Sequence, residues 1–199
     1  MKKILLIFIL FYLYGCQKSS VVAPLIIEEP AIVDTISAYT KYTIFKGRQY
    51  CDKSTIKAFS GTGIKFNVKF DSSAIYKTVN PDNQDDINKL YGFSEGIDNH
   101  FNSARFGWGW SKNALHLYAY VYAEGERKYK EISTVAIGAA IACSITIKGG
   151  QYLFSADGKN VELGRGLKDE SVKGYWQYPY FGGDEVALNN IYIYIQDTK

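Results

Sequence analysis

The chain has 199 residues, 47% hydrophobic and 16% aromatic, with 17 Tyr, 11 Phe and 3 Trp against a single Met. That suffices for one cored domain plus a short extension, and tyrosine at this level suits pleated, half-exposed strands. A formal net charge of +3, with basic residues dispersed rather than in runs, excludes a nucleic-acid patch.

Lys2-Lys3, an apolar run from Ile4 to Leu13, and Tyr14-Gly15-Cys16 read as a secretory signal, too short to span a bilayer comfortably. Leu13-Tyr14-Gly15-Cys16 resembles a bacterial lipobox, which implies cleavage before Cys16 and acylation of that residue. The expected organisation is a signal peptide over 1–15, a lipidated tether over 16–38 and a β-domain over 39–199. Removing 1–15 takes away Lys2 and Lys3 and leaves 21 basic against 20 acidic residues, a mature charge of +1. In an oxidising compartment Cys51 and Cys143 either form a disulfide, worth roughly 4–5 kcal/mol by chain entropy, or stay as two buried thiols.

The tether is rich in Ser and Pro, with Ile32-Val33 a candidate for docking on a sheet edge. From Tyr39 onward, short β-branched and aromatic runs alternate with turn residues. Strands are expected over 42–46, 50–59 and 64–71, the last with Ile64, Phe66, Val68 and Phe70 on one face. The polar stretch 71–88 follows, and 85–90 is the one segment that reads as a short helix. Asp82, Asp85 and Asp86, with Asn80 and Asn83, offer oxygens to calcium at a spacing that matches no loop of known geometry, and a solvated surface loop without metal is the favoured reading. No other cofactor is expected.

Ser103–Tyr122 is the most informative stretch. With Lys112-Asn113 as the turn, Trp110 faces Leu115, Trp108 faces Leu117 and Phe106 faces Ala119 on an apolar side. The other side carries Arg105, Gly107, Gly109, His116, Tyr118, Tyr120 and Tyr122. Glycines across from His116 and Tyr118 should leave those rings open as a platform suited to a sugar. Alternatively, His116 simply packs among tyrosines and Arg105 stacks on Tyr120.

A strand is expected over 129–135, then two tight hairpins over 144–163 turning at Gly149-Gly150 and Asp157-Gly158. Their registers agree: Ile147 with Tyr152, Ile145 with Phe154, Phe154 with Val161, and Tyr152 with Leu163. A run over 174–181, a Gly182–Glu185 turn and a strand over 190–196 complete the chain. Trp176, Tyr178 and Tyr180 add to an aromatic excess on the non-core parity. The fold class is all-β, two antiparallel sheets packed as a jelly-roll-like sandwich.

SARFGWGW, LHLYAYVY and the Tyr-Pro-Tyr-Phe-Gly-Gly turn are similar to the concanavalin A-like jelly rolls of certain alginate and glucuronan lyases. That resemblance implies a concave groove lined by an Arg-bearing strand and an aromatic one. FDSSAIY, NKLYGFS, NSARFGW and YPYFGGDE also resemble stretches of small Bacteroidota lipoproteins, which implies a fold and an address but no activity. Gly109 stands where the lyase motif usually has a basic residue, and Leu188-Asn189-Asn190 where an acid or histidine could assist.

Three functions remain open. The first is a non-catalytic, lectin-like module binding glycan or another envelope ligand through Arg105, His116, Tyr118, Tyr120, Tyr122, Trp176, Tyr178 and Tyr180. The second is a polysaccharide lyase with Arg105 neutralising a uronate, His116 as base, Tyr118 or Tyr120 as acid, and His100 as a supplement. The third is an assembly lipoprotein whose aromatic face docks an envelope protein. Hydrolysis lacks its carboxylate pair: Glu124 and Glu126 flank Gly125 at what reads as a charged hairpin tip. The partners expected are a membrane, through lipid, and a glycan or protein of the envelope. The address is the outer membrane, on its periplasmic face, because Gln17-Lys18-Ser19-Ser20 carries no acid.

Overall fold

The computed structural model describes residues 38–198. Signal peptide, Cys16, Ile32-Val33 and all of the tether but its last residue lie outside the described residues. Among the described residues, twelve strands form two antiparallel six-stranded sheets. The first runs β1 (Thr40–Ile44), β12 (Ile191–Asp197), β3 (Gly63–Phe70), β8 (Ile141–Lys148), β9 (Gln151–Ala156) and β10 (Lys159–Gly164). The second runs β2 (Ala58–Gly61), β11 (Val172–Gln177), β4 (Asn88–Glu95), β5 (Ser103–Ser111), β6 (Ala114–Ala123) and β7 (Glu126–Val135). Among the described residues there is no α-helix.

Tight turns set the registers. Lys112-Asn113, Glu124-Gly125, Gly149-Gly150 and Asp157-Gly158 all have positive φ at both positions, the two-residue geometry whose twist matches paired strands. Trp110 accordingly pairs with Leu115, Trp108 with Leu117 and Phe106 with Ala119. Ile147 pairs with Tyr152, Ile145 with Phe154, Phe154 with Val161 and Tyr152 with Leu163, as the turn chemistry predicts.

The inner faces interlock through rings. Phe66 meets Phe106 edge-on at 5.5 Å, Phe106 meets Phe154 at 5.3 Å, and Phe70 lies 5.4 Å from Trp108. A buried clasp ties the sheets at one end. Glu95, at the end of β4, takes Arg165 Nε at 2.6 Å and Nη2 at 2.7 Å, and accepts the Tyr152 hydroxyl from the opposite sheet. The same guanidinium donates to the carbonyls of Leu167, Asp169 and Ser171 and so shapes the loop leading into β11.

Two expectations are corrected, and the alternative left open for the cysteines is decided. The 85–90 segment is not helical, because Asn88 opens β4, whose backbone is needed between β5 and β11; without it their polar groups would go unpaired. The 50–59 run is not one strand. Tyr50 and Cys51 form single bridges, residues 52–57 rise as an exposed loop, and pairing resumes at Ala58. Cys51 and Cys143 are unbonded, and both are buried. Cys51 bridges Ile44 outside β1 while Cys143 sits on β8 opposite Phe66. Four strand spacings at about 4.8 Å put them about 19 Å apart, far beyond disulfide reach.

Candidate functional site

The outer face of the second sheet is built in rows. Gln177 on β11 pairs with Gly92 on β4, Gly92 with Arg105, Arg105 with Tyr120, and Tyr120 with Tyr129 on β7. The next row runs Tyr175, Ser94, Ser103, Tyr122 and Arg127. Gly92 matters because a Cβ there would collide with the Ala104 carbonyl and meet Arg105 Cα at 2.7 Å, so only a glycine allows this close pairing of β4 with β5 beside Arg105. A bulge between Lys89 and Gly92 lets both Leu90 and Tyr91 go inward while Lys89 stays on the outer face.

Over these rows lies a cavity of about 660 Å³, within the range of sites that enclose a small ligand. Arg105, Lys89, Tyr120, Tyr122, Arg127 and Gln177 line it, as do Tyr175, Trp176, Tyr178 and Tyr180 from β11 and the segment after it. Tyr50, Ile56, Ile97, Asn99 and His100 form its rim. Among the described residues its lining contains three cations and no carboxylate.

Arg105 is only 6% exposed, and its Nε and Nη2 have no hydrogen-bond partner. Its guanidinium stands 5.6 Å from the Tyr120 ring centroid, and Lys89 Nζ approaches the same ring at 4.9 Å. Burial pulls the Arg105 pKa down, and the neighbouring Tyr120 and Tyr122 offset this only in part. Lys89 falls to about 8, first from burial, then from the positive charges of Arg105 and Arg127. Tyr120 rises to about 12 through burial and its hydrogen bond with Tyr122, so it stays a neutral donor near pH 7.

Of the eight predicted ligand residues, six line the cavity: Arg105, Tyr120, Tyr122, Trp176, Tyr178 and Tyr180. The register corrects one detail. Trp176 pairs with Phe93, stacks on Tyr91 at 5.2 Å and packs against the core, while Tyr175 and Gln177 hold the groove parity. His116 and Tyr118 are elsewhere. His116 bonds Glu131 Oε1 through Nδ1 at 3.0 Å and the Ser111 carbonyl through Nε2 at 3.1 Å. Tyr118 rises to about 12, mainly by burial, with Glu131, Asp85 and Tyr76 near its hydroxyl.

The glycines opposite those rings do not leave them open; they admit another segment. A Cβ on Gly107 would meet Ile87 Cγ2 at 2.5 Å, and one on Gly109 would approach the Asp86 carbonyl at 3.4 Å. Residues 76–87 thus cover that half of the face. Gln84 Nε2 fastens them to the Trp110 carbonyl at 2.6 Å. The Glu185 carboxylate takes Val79 N, Asn80 N and Asn83 Nδ2. Among the described residues Asp82, Asp85 and Asp86 form no cluster fit to hold a metal ion, and the Asn80 side-chain oxygen accepts the Asp82 amide.

His100 reaches the rim, edge-on to Tyr122 at 5.1 Å. The residues that sequence reasoning missed are Lys89, Arg127, Tyr175 and Gln177. Row pairing could have found Tyr175 and Gln177, but only with the β4–β11 register in hand.

No family model matches the chain, and no curated protein matches it. Among solved structures it is similar to a glycoside hydrolase family 16 endo-glucanase from Bacteroides ovatus, at 14% identity and a TM-score of 0.52 over 81% of each chain. It is also similar to an alginate lyase from Alteromonas sp.272, at 9% identity and a TM-score of 0.47 over 86% of this chain and 89% of that one. The endo-glucanase match places the fold among concanavalin A-like jelly rolls.

Proposed function

We propose that the domain is a lectin-like module that binds an acidic saccharide in this groove, held to the outer membrane by lipid on Cys16. One observation carries the reading: a buried arginine with two unpaired nitrogens in a cavity whose lining, among the described residues, holds no carboxylate. A buried donor left unsatisfied is costly, and the cost is recovered when an oxyanion enters. Tyr and Trp faces suit the apolar CH surface of a sugar ring, and Asn99, Gln177 and the tyrosine hydroxyls suit its hydroxyls. Shared fold with a carbohydrate-active enzyme supports this by analogy only.

The β-elimination reading keeps one specific observation in its favour, since His100 and Tyr122 adjoin Arg105 in one cavity. A single incubation separates the two. The domain is mixed with acidic and neutral polysaccharides, following retention on the polymer and absorbance from new unsaturated uronate ends. Retention of acidic polymers without absorbance is expected. Absorbance that vanishes in His100→Ala would establish the lyase, and absence of both would overturn the binding reading and leave the docking of an envelope protein.

A further inference from the structure

Ile56 and Ile97 are the most exposed large apolar side chains among the described residues, at 93% and 88%. They belong to different loops, residues 52–57 and 96–102, and both stand on the rim of the same cationic cavity. Each position is fixed by its loop. Asp52 N donates to the Thr43 carbonyl and Thr43 N to Asp52 Oδ1, which folds the first loop off the edge of β1. The second leaves β4 at the Glu95 clasp, turns at Gly96 with φ +84°, and is tied back by Ser103 Oγ to the Asn99 carbonyl. Tyr50, 68% exposed, shares the rim, and Lys57 Nζ lies 5.5 Å over Trp176. The one carboxylate on the second tip, Asp98, already accepts the His100 amide.

Isolated apolar side chains on a surface need no explanation. Two exposed isoleucines beside a cavity that holds a buried arginine with two unpartnered nitrogens are a different pattern. Cations suited to an anionic headgroup line the cavity, and aromatic and aliphatic side chains stand at its rim, the combination of chemistries that suits the boundary between headgroups and acyl chains. A soluble polymer would contact the cavity and leave both tips in water.

We infer that the groove's acidic saccharide is the headgroup of a membrane glycolipid, and that Ile56 and Ile97 enter the apolar layer around it. This rests on the saccharide reading above and adds the surface that presents the sugar. Arg105 and Lys89 meet the headgroup anion, while the two tips set the depth and supply affinity that a free sugar cannot.

The test uses the full chain carrying Cys16→Ser, so that no acyl group contributes, with and without Ile56→Ser/Ile97→Ser. Flotation is measured with phosphatidylcholine vesicles alone, with phosphatidylglycerol added, and with lipopolysaccharide or a ganglioside added. Binding to soluble oligogalacturonate and to free sialyl-oligosaccharide is measured in parallel. Recovery with phosphatidylcholine alone reports any contribution from the shared N-terminal segment and is subtracted from the others. The expected result is recovery with the acidic glycolipid vesicles that falls at least tenfold in the double variant, well beyond any fall in its soluble sugar binding; an equal fall in both would make the two isoleucines part of the sugar site alone and overturn this inference. Equal recovery with phosphatidylglycerol would identify a plain anionic surface and overturn the headgroup assignment. Soluble sugar binding without flotation, or flotation that both serines leave intact, would overturn this inference and leave the saccharide reading standing. Failure of every sugar and every vesicle would overturn the saccharide reading itself.

Discussion

The guanidinium carbon of Arg105 lies 5.6 Å from the centroid of Tyr120, its cross-strand partner, yet two of its nitrogens have no hydrogen-bond partner. The ring shields the cation on one side without satisfying it. Arg105→Met keeps the apolar stem and removes the buried charge. Stability should therefore rise, by about 1–4 kcal/mol on the scale seen when buried ions are replaced by apolar side chains. Affinity for an acidic oligosaccharide should fall about 10- to 100-fold, the worth of hydrogen bonds to a charged group. Thermal melts and titration calorimetry on the same preparation check both, and a variant that loses stability together with affinity would mean that Arg105 is structural.

His116 gives the converse case. Both ring nitrogens are engaged on the far side of the 76–87 cover. His116→Ala should leave saccharide retention within about twofold while costing about 1 kcal/mol of stability. His100→Ala should weaken retention, because that ring stands on the rim against Tyr122.

The contrast between the two histidines marks what the chain makes legible. Alternation and two-residue turns fix which side of β5 and β6 each side chain takes, since a one-residue slip would turn every ring over. They therefore place Arg105, Tyr120 and Tyr122 correctly. They say nothing about what lies on top of a face. Ile87 reaches Gly107 from a polar segment with no period of its own, and only the packed chain reveals it. Lys89 was equally hidden, because the bulge after it breaks the alternation that would have assigned its side.

The thiols provide a direct check of the strand order. Cys51 and Cys143 are separated by β1, β12 and β3, and burial raises the pKa of both. With Cys16→Ser, intact mass should be identical before and after reduction. Alkylation should be slow in the native protein and should reach two adducts in denaturant. A mass gain of two hydrogens on reduction would contradict the sheet order itself.

Lys89 predicts a pH dependence with a definite sign. Its ordinary value, about 10.4, falls to about 8 in the fold. Below pH 8 it is charged in both states and the burial cost is present in full. Between about 8 and 10 the unfolded chain holds a proton that the folded chain has released, so unfolding free energy rises with pH. Above that range the buried tyrosines, with pKa values raised, oppose it. The groups facing Lys89 are Arg105, Arg127, Asp86 and Tyr120, and the last of these is pushed up to about 12. Lys89→Met should abolish the rise. An acidic ligand should bind progressively less well above pH 8 and take up a fraction of a proton on binding near that pH, seen as a buffer-dependent heat in calorimetry.

The Glu95 clasp separates fold from function. The carboxylate accepts two bonds from Arg165 and one from Tyr152, with side-chain exposures of 5% for the glutamate and 0% for the arginine. Glu95→Gln keeps the shape and removes the charge, leaving the arginine buried without its counter-ion. Breaking one side of such a pair costs about 3–5 kcal/mol. Tyr152→Phe removes one neutral donor and should cost about 1 kcal/mol. Glu95 also ends the strand from which the Ile97 loop departs, so its loss should loosen that loop and not the row through Arg105. Urea unfolding should register the difference between the two variants. Saccharide affinity, measured where both remain folded, should fall in Glu95→Gln, whose loosened loop carries Asn99 and His100, and stay near that of the parent in Tyr152→Phe, where a collapse would show that the clasp sets the geometry of the groove floor as well.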